Sequence, residues 1–376
     1  MEKCIYCGQI ITKKNSEHII PNSIGGLLEA DNIICIDCNS NFGETIEASF
    51  AEQFNSFRVV LGILSGRGKK APRLKGLNSE SGEKYDLSHG GVPSLSDPKI
   101  STWDDGKGVK HVKRILRSKE EQKKIMKKID PEKIVYINYK EVSKHVEEMI
   151  TIDSSIGGDE TFRCITKTGM NLLAHLFGNN FILENKFESA RNYVLSGEKQ
   201  TTEITSYFGF TDYRLPDLIT YGVNHSVIVF NEQEKVKSLV ILFGNIQFGC
   251  VLGETNLPNS FFYFVNPIVR EHYLGIYPFS IKLEDLNQAK HIHRNGKIYD
   301  IFKRWVDNIL NYCKNHKEMD VIKKDLTEFV NEKLIELATI RSVLPEEICD
   351  TDIKKLVKDA WEEIKIKYNI SYDEKN

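Results

Sequence analysis

Glu17 and His18 stand side by side in the stretch SEHIIPNSIGG (residues 16–26), ahead of two isoleucines, a proline and a double glycine. An imidazole and a carboxylate can divide the work of hydrolysis. The first titrates near neutrality and takes a proton from water, while the second holds a cation. The same two residues at a strand end running into a Pro-Gly turn would be ordinary solvated groups, so the pair alone decides nothing. The cysteines around it decide more. Cys4-x2-Cys7 and Cys35-x2-Cys38 are identical pairs separated by 27 residues. Each offers two thiolates to one tetrahedral Zn²⁺, and together they close a four-sulfur structural site. A redox dithiol would need the βαβ setting of a thioredoxin-like fold, which this stretch lacks. A module this short buries little surface, so metal binding supplies much of its folding energy.

These residues need a scaffold. The pattern predicts a strand ending at His18, a loop, a strand over residues 32–34 leading into the second cysteine pair, and a helix from about Cys38 to Phe57. Ile46, Phe50, Phe54 and Phe57 recur along that helix at helical spacing. Asn39 or Ser40 can cap its first turn. The unit is ββα, with zinc stapling its base.

In this order, Glu17-His18-Ile19-Ile20-Pro21, Gly25-Gly26, Asn32 and Cys35-x2-Cys38-Asn39 resemble the motif of the HNH endonucleases in its zinc-stapled ββα-metal form. Many members carry a His after the second pair. Here Asn39 stands there, with Asn41 two residues on, as in an HNN-type variant. The resemblance implies a metal-dependent endonuclease that hydrolyses phosphodiester bonds, of DNA rather than RNA. His18 would be the general base. Glu17, with Asn39 or Asn41, would hold catalytic Mg²⁺ or Mn²⁺ beside the structural Zn²⁺ of Cys4, Cys7, Cys35 and Cys38. Asn32 would hold the His18 loop through backbone hydrogen bonds and do no chemistry. A helix N-terminus at this point also favours an anionic phosphate. The alternative is a catalytically silent zinc module that binds nucleic acid or protein.

The rest of the 376 residues suffices for further cores, and the expected division is 1–58, 59–130 and 131–376 in an α+β protein. The net charge of −2 gives no global pull toward nucleic acid, but residues 58–128 carry 18 Lys/Arg against 8 Asp/Glu. Arg67, Lys69, Lys70, Arg73 and Lys75 lie among Gly and Pro, which reads as an extended basic linker, and residues 107–130 read as a cation-rich helix. Beside a phosphodiesterase motif, such a segment suits the nucleic-acid backbone and gives affinity without sequence choice; a solvated helical face is the plainer alternative. Residues 71–105 read as a small β element.

Beyond 133 the pattern predicts a helix over 166–181, strands at 225–230, 236–244 and 246–253, and closing helices at 298–316, 319–342 and 350–368. His175 and His225 read as core or edge residues. His291-x-His293 has no acid or cysteine cluster beside it to make a metal site. Cys164, Cys250, Cys313 and Cys349 read as single buried residues. An N-terminal HNH module with a long α+β extension resembles bacterial HNH proteins, some of them in restriction or phage defence. That likeness implies a regulatory or partner-binding role for the extension, with a protein partner or a second copy of the chain. The N-terminus has no apolar signal region and no run approaches the ~18 apolar residues of a membrane span, so a cytoplasmic protein without membrane contact is expected.

Overall fold

The structure is a computed structural model. It describes residues 2–104, 106–107, 110–116, 119–127, 148–198, 223–244, 246–268, 270–277, 329–330, 332–337 and 350–368. The chain divides into two compact units, Met1–Trp305 and Val306–Asn376, and mixes helices and strands as an α+β protein.

β1 (Ser16–His18) pairs antiparallel with β2 (Glu29–Asp31), placing Glu17 opposite Ala30 and His18 opposite Glu29. The loop between them turns through a 3₁₀ segment, Asn22–Ile24, after Pro21. Both glycines that follow are required. Gly25 has φ +96°, and a Cβ on Gly26 would lie 1.9 Å from the Ile20 carbonyl oxygen. The second strand ends before Asn32 rather than beginning there, because Asn32 adopts a left-handed φ of 56°. The single helix expected over 38–57 is three: α1 (Ile36–Glu44), α2 (Ile46–Gln53) and α3 (Asn55–Leu61). Thr45, at φ −113° and ψ −93°, breaks the first junction, and Phe54 breaks the second. The cap of α1 is also not Asn39 or Ser40. Cys35 occupies the position, its Sγ accepting from the Cys38 amide at 3.4 Å. The two breaks leave Phe50, Phe54 and Phe57 in one aromatic cluster with Phe243, centroids 4.8 to 6.2 Å apart.

The basic segment is not an extended linker. Leu64 bridges to Lys70, and Ser65 closes the turn by accepting from the Gly68 amide and donating its own to the Lys69 carbonyl. β3 (Leu74–Asn78), β4 (Lys84–Ser88) and β5 (Val92–Leu95) then form a three-stranded antiparallel sheet. The helix expected over 107–130 is a strand followed by a short helix: β7 (Lys110–Ile115) pairs with β6 (Lys99–Asp104), and α4 covers Lys119–Met126. Cross-strand partners override helical propensity here, with Thr102 opposite Val112 and Trp103 stacked on His111 at 5.1 Å.

α5 (Asp159–Phe177) begins earlier than expected and is buried from Cys164 to Ala174. It lies between the N-terminal module and a five-stranded antiparallel sheet of order β10-β9-β8-β11-β12. These strands are β8 (His225–Glu232), β9 (Lys235–Leu242), β10 (Ile246–Gly253), β11 (Phe261–Asn266) and β12 (Glu271–Ile276). The expected three-strand meander is present, and its first turn places Gln233 and Glu234 at positive φ, as a two-residue hairpin demands. Gly169 lets the helix approach β9 closely, since a Cβ there would meet Ser238 Oγ at 2.7 Å. α6 (Asn179–Leu183) and α7 (Glu188–Ser196) complete this layer. In the second unit α8 spans Asp350–Tyr368, and residues 332–337 are helical. His291, His293, Cys313, Cys349 and the helix expected at 298–316 lie outside the described residues. No helix among the described residues is long and apolar enough to cross a membrane.

Candidate active site

The four cysteines converge. Their Sγ atoms all lie within 4.8 Å of one another, and Cys7 and Cys35 are 3.7 Å apart. A tetrahedron with Zn–S bonds of about 2.3 Å has edges of about 3.8 Å, so the donor set suits one zinc ion. The first knuckle is built by the Cys4 amide donating to the Gln9 carbonyl and by the left-handed Gly8. A hydrogen bond from Cys38 lowers the Cys4 thiol to about 4, so one thiolate is stabilised even before a metal is considered.

Residues in successive strand positions face opposite ways, and β1 uses this. His18 faces Glu29, its Nε2 3.2 Å from Oε1. The residue is 7% exposed, and burial lowers its proton affinity against the opposing pull of Glu29. Burial thus favours the neutral imidazole. With Nε2–H directed at the carboxylate, Nδ1 is left as the acceptor. The turn at Gly66 covers the ring: a Cβ on Gly66 would lie 3.1 Å from Nε2 and 2.0 Å from the Gly26 carbonyl oxygen. Behind it, Asn171 of α5 donates to the His18 carbonyl at 3.2 Å and accepts from the Tyr6 hydroxyl at 2.8 Å.

Glu17 faces the other way, into a cluster that sequence reasoning missed. The ammonium of Lys167, on α5, bonds to Glu17 and lies 2.6 Å from Glu47 Oε1 on α2. Lys167 and Glu17 are buried, and Glu47 is 21% exposed. Burial opposes the lysine's charge, but the two carboxylates outweigh it and hold Lys167 protonated. Burial raises Glu17 above the usual carboxylate range, whereas the Lys167 ammonium keeps the more exposed Glu47 below it. Two carboxylates thus converge on one cationic centre, the geometry a divalent cation would use, and an amine of the chain itself stands at that centre.

Asn39 is half-buried and Asn41 exposed, and two residues of helix separate them by about 200° of rotation, so they flank opposite sides of α1. Asn32 ties down the start of β1 rather than the loop after His18. Its amide donates to the Asn15 carbonyl at 2.7 Å, and its own carbonyl accepts from Asn179 at 2.7 Å.

Residues 4–55 match the HNH endonuclease family. No curated protein and no solved structure matches the chain. The matched span contains both knuckles, the β1–β2 ribbon, α1 and α2, and therefore His18, Glu17, Glu29 and Glu47. Lys167, Asn171 and the Gly66 turn, all in contact with the HNH site, come from outside it.

Of the basic residues, Arg67, Lys69, Lys70 and Lys75 are exposed. Arg67 lies 3.9 Å from Glu29, so this cation belongs to the surroundings of His18. Arg73 is partly taken by Asp86 at 3.6 Å. Glu29 carried a faint signal in the sequence, as the acid one ribbon-width from His18. Lys167 carried none, since nothing in a helical pattern says which buried lysine meets which acid.

Proposed function

We propose that the protein is a metal-dependent nuclease that hydrolyses phosphodiester bonds, in DNA rather than RNA, with His18 as general base. The observation that carries this reading is the buried imidazole held through Nε2 by Glu29 at 3.2 Å, its proton affinity lowered by burial, inside the span that matches the HNH endonucleases. A carboxylate on one ring nitrogen fixes the tautomer and stabilises the imidazolium that forms when the other takes a proton from water. The proposed cation-holding residues are Glu17 and Glu47, with Asn39 or Asn41 as the third donor. A bound Mg²⁺ or Mn²⁺ would supply charge neutralisation at the phosphate and at the leaving oxygen. Arg67, Lys69 and Lys70, exposed on the turn that covers His18, would meet the strand backbone, and access to the base would be past that turn. The larger α+β region is proposed as regulatory, because α5 brings Lys167 into the carboxylate pair.

The same lysine favours a second reading: with the pair neutralised internally, the module would be a silent, zinc-built binding unit. One experiment separates the two. Full-length protein is incubated with plasmid, single-stranded DNA and RNA, with and without Mn²⁺, beside His18→Ala. The nuclease reading expects cleavage that His18→Ala abolishes, with zinc content and nucleic-acid affinity retained, because the base acts in the transition state rather than in binding. Equal cutting by wild type and variant, or no cutting by either, gives the field to the silent module.

A further inference from the structure

A cleft of about 830 Å³ opens between α2, α3, β3 and residues 152–155, and none of the groups around His18 or Glu17 lines it. Arg58 forms part of its lining. The residue is 5% exposed, its Nε is buried without a hydrogen-bond partner, and no carboxylate among the described residues pairs with its guanidinium. Burial is the one influence on its proton affinity, and it acts downward. A guanidinium does not deprotonate in proteins, so a buried one without a counter-ion is a standing cost that an incoming anion removes.

A second orphan lies in the same cleft. Asn55 donates Nδ2 to the Pro72 carbonyl at 3.0 Å, which fixes the amide, and its Oδ1 is buried without a donor. Lys75 is exposed on the lining with no ion-pair partner among the described residues, and Arg73 is held by Asp86 only at 3.6 Å. Two acids, Glu52 and Asp153, also line the cleft but are exposed and do not reach Arg58. The cleft is within the size range of small-ligand sites. It thus presents an unpaired cation, an unpaired acceptor and two further cations, which together call for a ligand that carries both an anion and a hydroxyl or amino donor.

We propose that this cleft binds a phosphate-bearing nucleotide, with Arg58 as the anion receptor, Lys75 and Arg73 supporting the charge, and Asn55 Oδ1 accepting from a sugar hydroxyl or base amine. Guanidinium and phosphate match in bidentate geometry, and a phosphate offers more charge to three cations than a carboxylate does. The nucleotide is either a free small molecule or one unit of a bound strand. The site stands independently of cleavage by the HNH module.

The test is calorimetric titration and thermal unfolding of the full-length protein, without added divalent cation, against pyrophosphate, a nucleoside diphosphate and a short single-stranded oligonucleotide. The wild type is expected to bind at least one of the nucleotide probes and to unfold at higher temperature in its presence. Arg58→Met should weaken binding by about tenfold or more and Lys75→Ala by a smaller factor, while His18→Ala should leave it unchanged. Without ligand, Arg58→Met should unfold at the same or a higher temperature than wild type, since an uncompensated cation has been removed. Binding of the diphosphate identifies a free nucleotide as the source, and binding of the oligonucleotide alone identifies the strand. Absence of binding by every probe overturns the site, as does equal binding by Arg58→Met. Should that variant not fold, the wild-type shift and its reduction in Lys75→Ala carry the decision, and an unchanged shift in Lys75→Ala counts against the site.

Discussion

At the scale of single residues, the site is a division of labour between neighbours that a strand forces apart. His18 and Glu17 share a peptide bond and face different partners, Glu29 on one side and Lys167 with Glu47 on the other. The buried ion cluster makes a prediction with a definite sign. Lys167→Met leaves two carboxylates facing one another without a counter-charge, and losing one member of a buried pair costs about 3–5 kcal/mol. If the pair is a cation site, Mn²⁺ should restore much of that loss in the variant and raise its unfolding temperature far more than it raises that of the wild type. Denaturant unfolding with and without Mn²⁺ measures both. A variant equally unstable in either condition would show that Glu17 and Glu47 serve packing alone. Glu29→Gln addresses the other face. Glu29 favours the charged imidazole, so removing its charge should move the acid limb of the pH–activity profile to lower pH and lower the rate, with substrate affinity little changed.

At the scale of elements, the loop of the β1–β2 ribbon and the five-stranded sheet are locked together by His225. It is fully buried, its Nε2–H donates to the Ile24 carbonyl at 3.0 Å, and its Nδ1 accepts from the Phe243 amide at 3.1 Å. Burial pushes its proton affinity down to about 3. The unfolded chain binds that proton near pH 6.5, so the contribution to stability is complete above that value and declines as pH falls from about 6.5 toward 3. Charging the ring would also turn the Phe243 amide into a donor facing a donor. Unfolding temperatures measured from pH 8 down to pH 5 should therefore fall below about 6.5, and His225→Gln should flatten that decline. Much at this scale was legible beforehand. The knuckles, β1, the meander and the helix at 350–368 follow from spacing and turn residues alone. The helix breaks at Thr45 and Phe54 were not, because Ile46, Phe50, Phe54 and Phe57 keep helical spacing across a bend that only packing against Phe243 makes worthwhile. Residues 110–115 failed for a similar reason: their strand exists through its pairing with β6, and basic residues carry no strand signal of their own.

At the scale of the whole molecule, the HNH span is a part of a larger core. Tyr6 bonds to Asn171, the Leu28 amide donates to Tyr263 at 2.9 Å, and Arg270 donates to the Ser65 and Gly66 carbonyls. The first 58 residues made alone, even with zinc, should therefore expose Tyr6, Phe50 and Phe54 and lack a cooperative unfolding transition. In the full chain the zinc frame remains necessary for the module. Cys35→Ser should bring zinc content from about one per chain to near zero and abolish any nuclease activity, with near-native sheet structure elsewhere by circular dichroism. Freely titrating cysteines in native, zinc-free protein of full stability would contradict that frame.

The lysine that neutralises Glu17 lies 150 residues later in the chain. At roughly 5–20 residues per second of synthesis, Glu47, 120 residues ahead of Lys167, leaves the ribosome about 6 to 24 s before it does. During that interval Glu17 and Glu47 have no internal partner, and any divalent ion in solution is a candidate to sit between them. The arrival of α5 then sets the protein's own amine against whatever cation is already there. The competition between the two for the carboxylates therefore opens only when α5 is made, before any substrate is met.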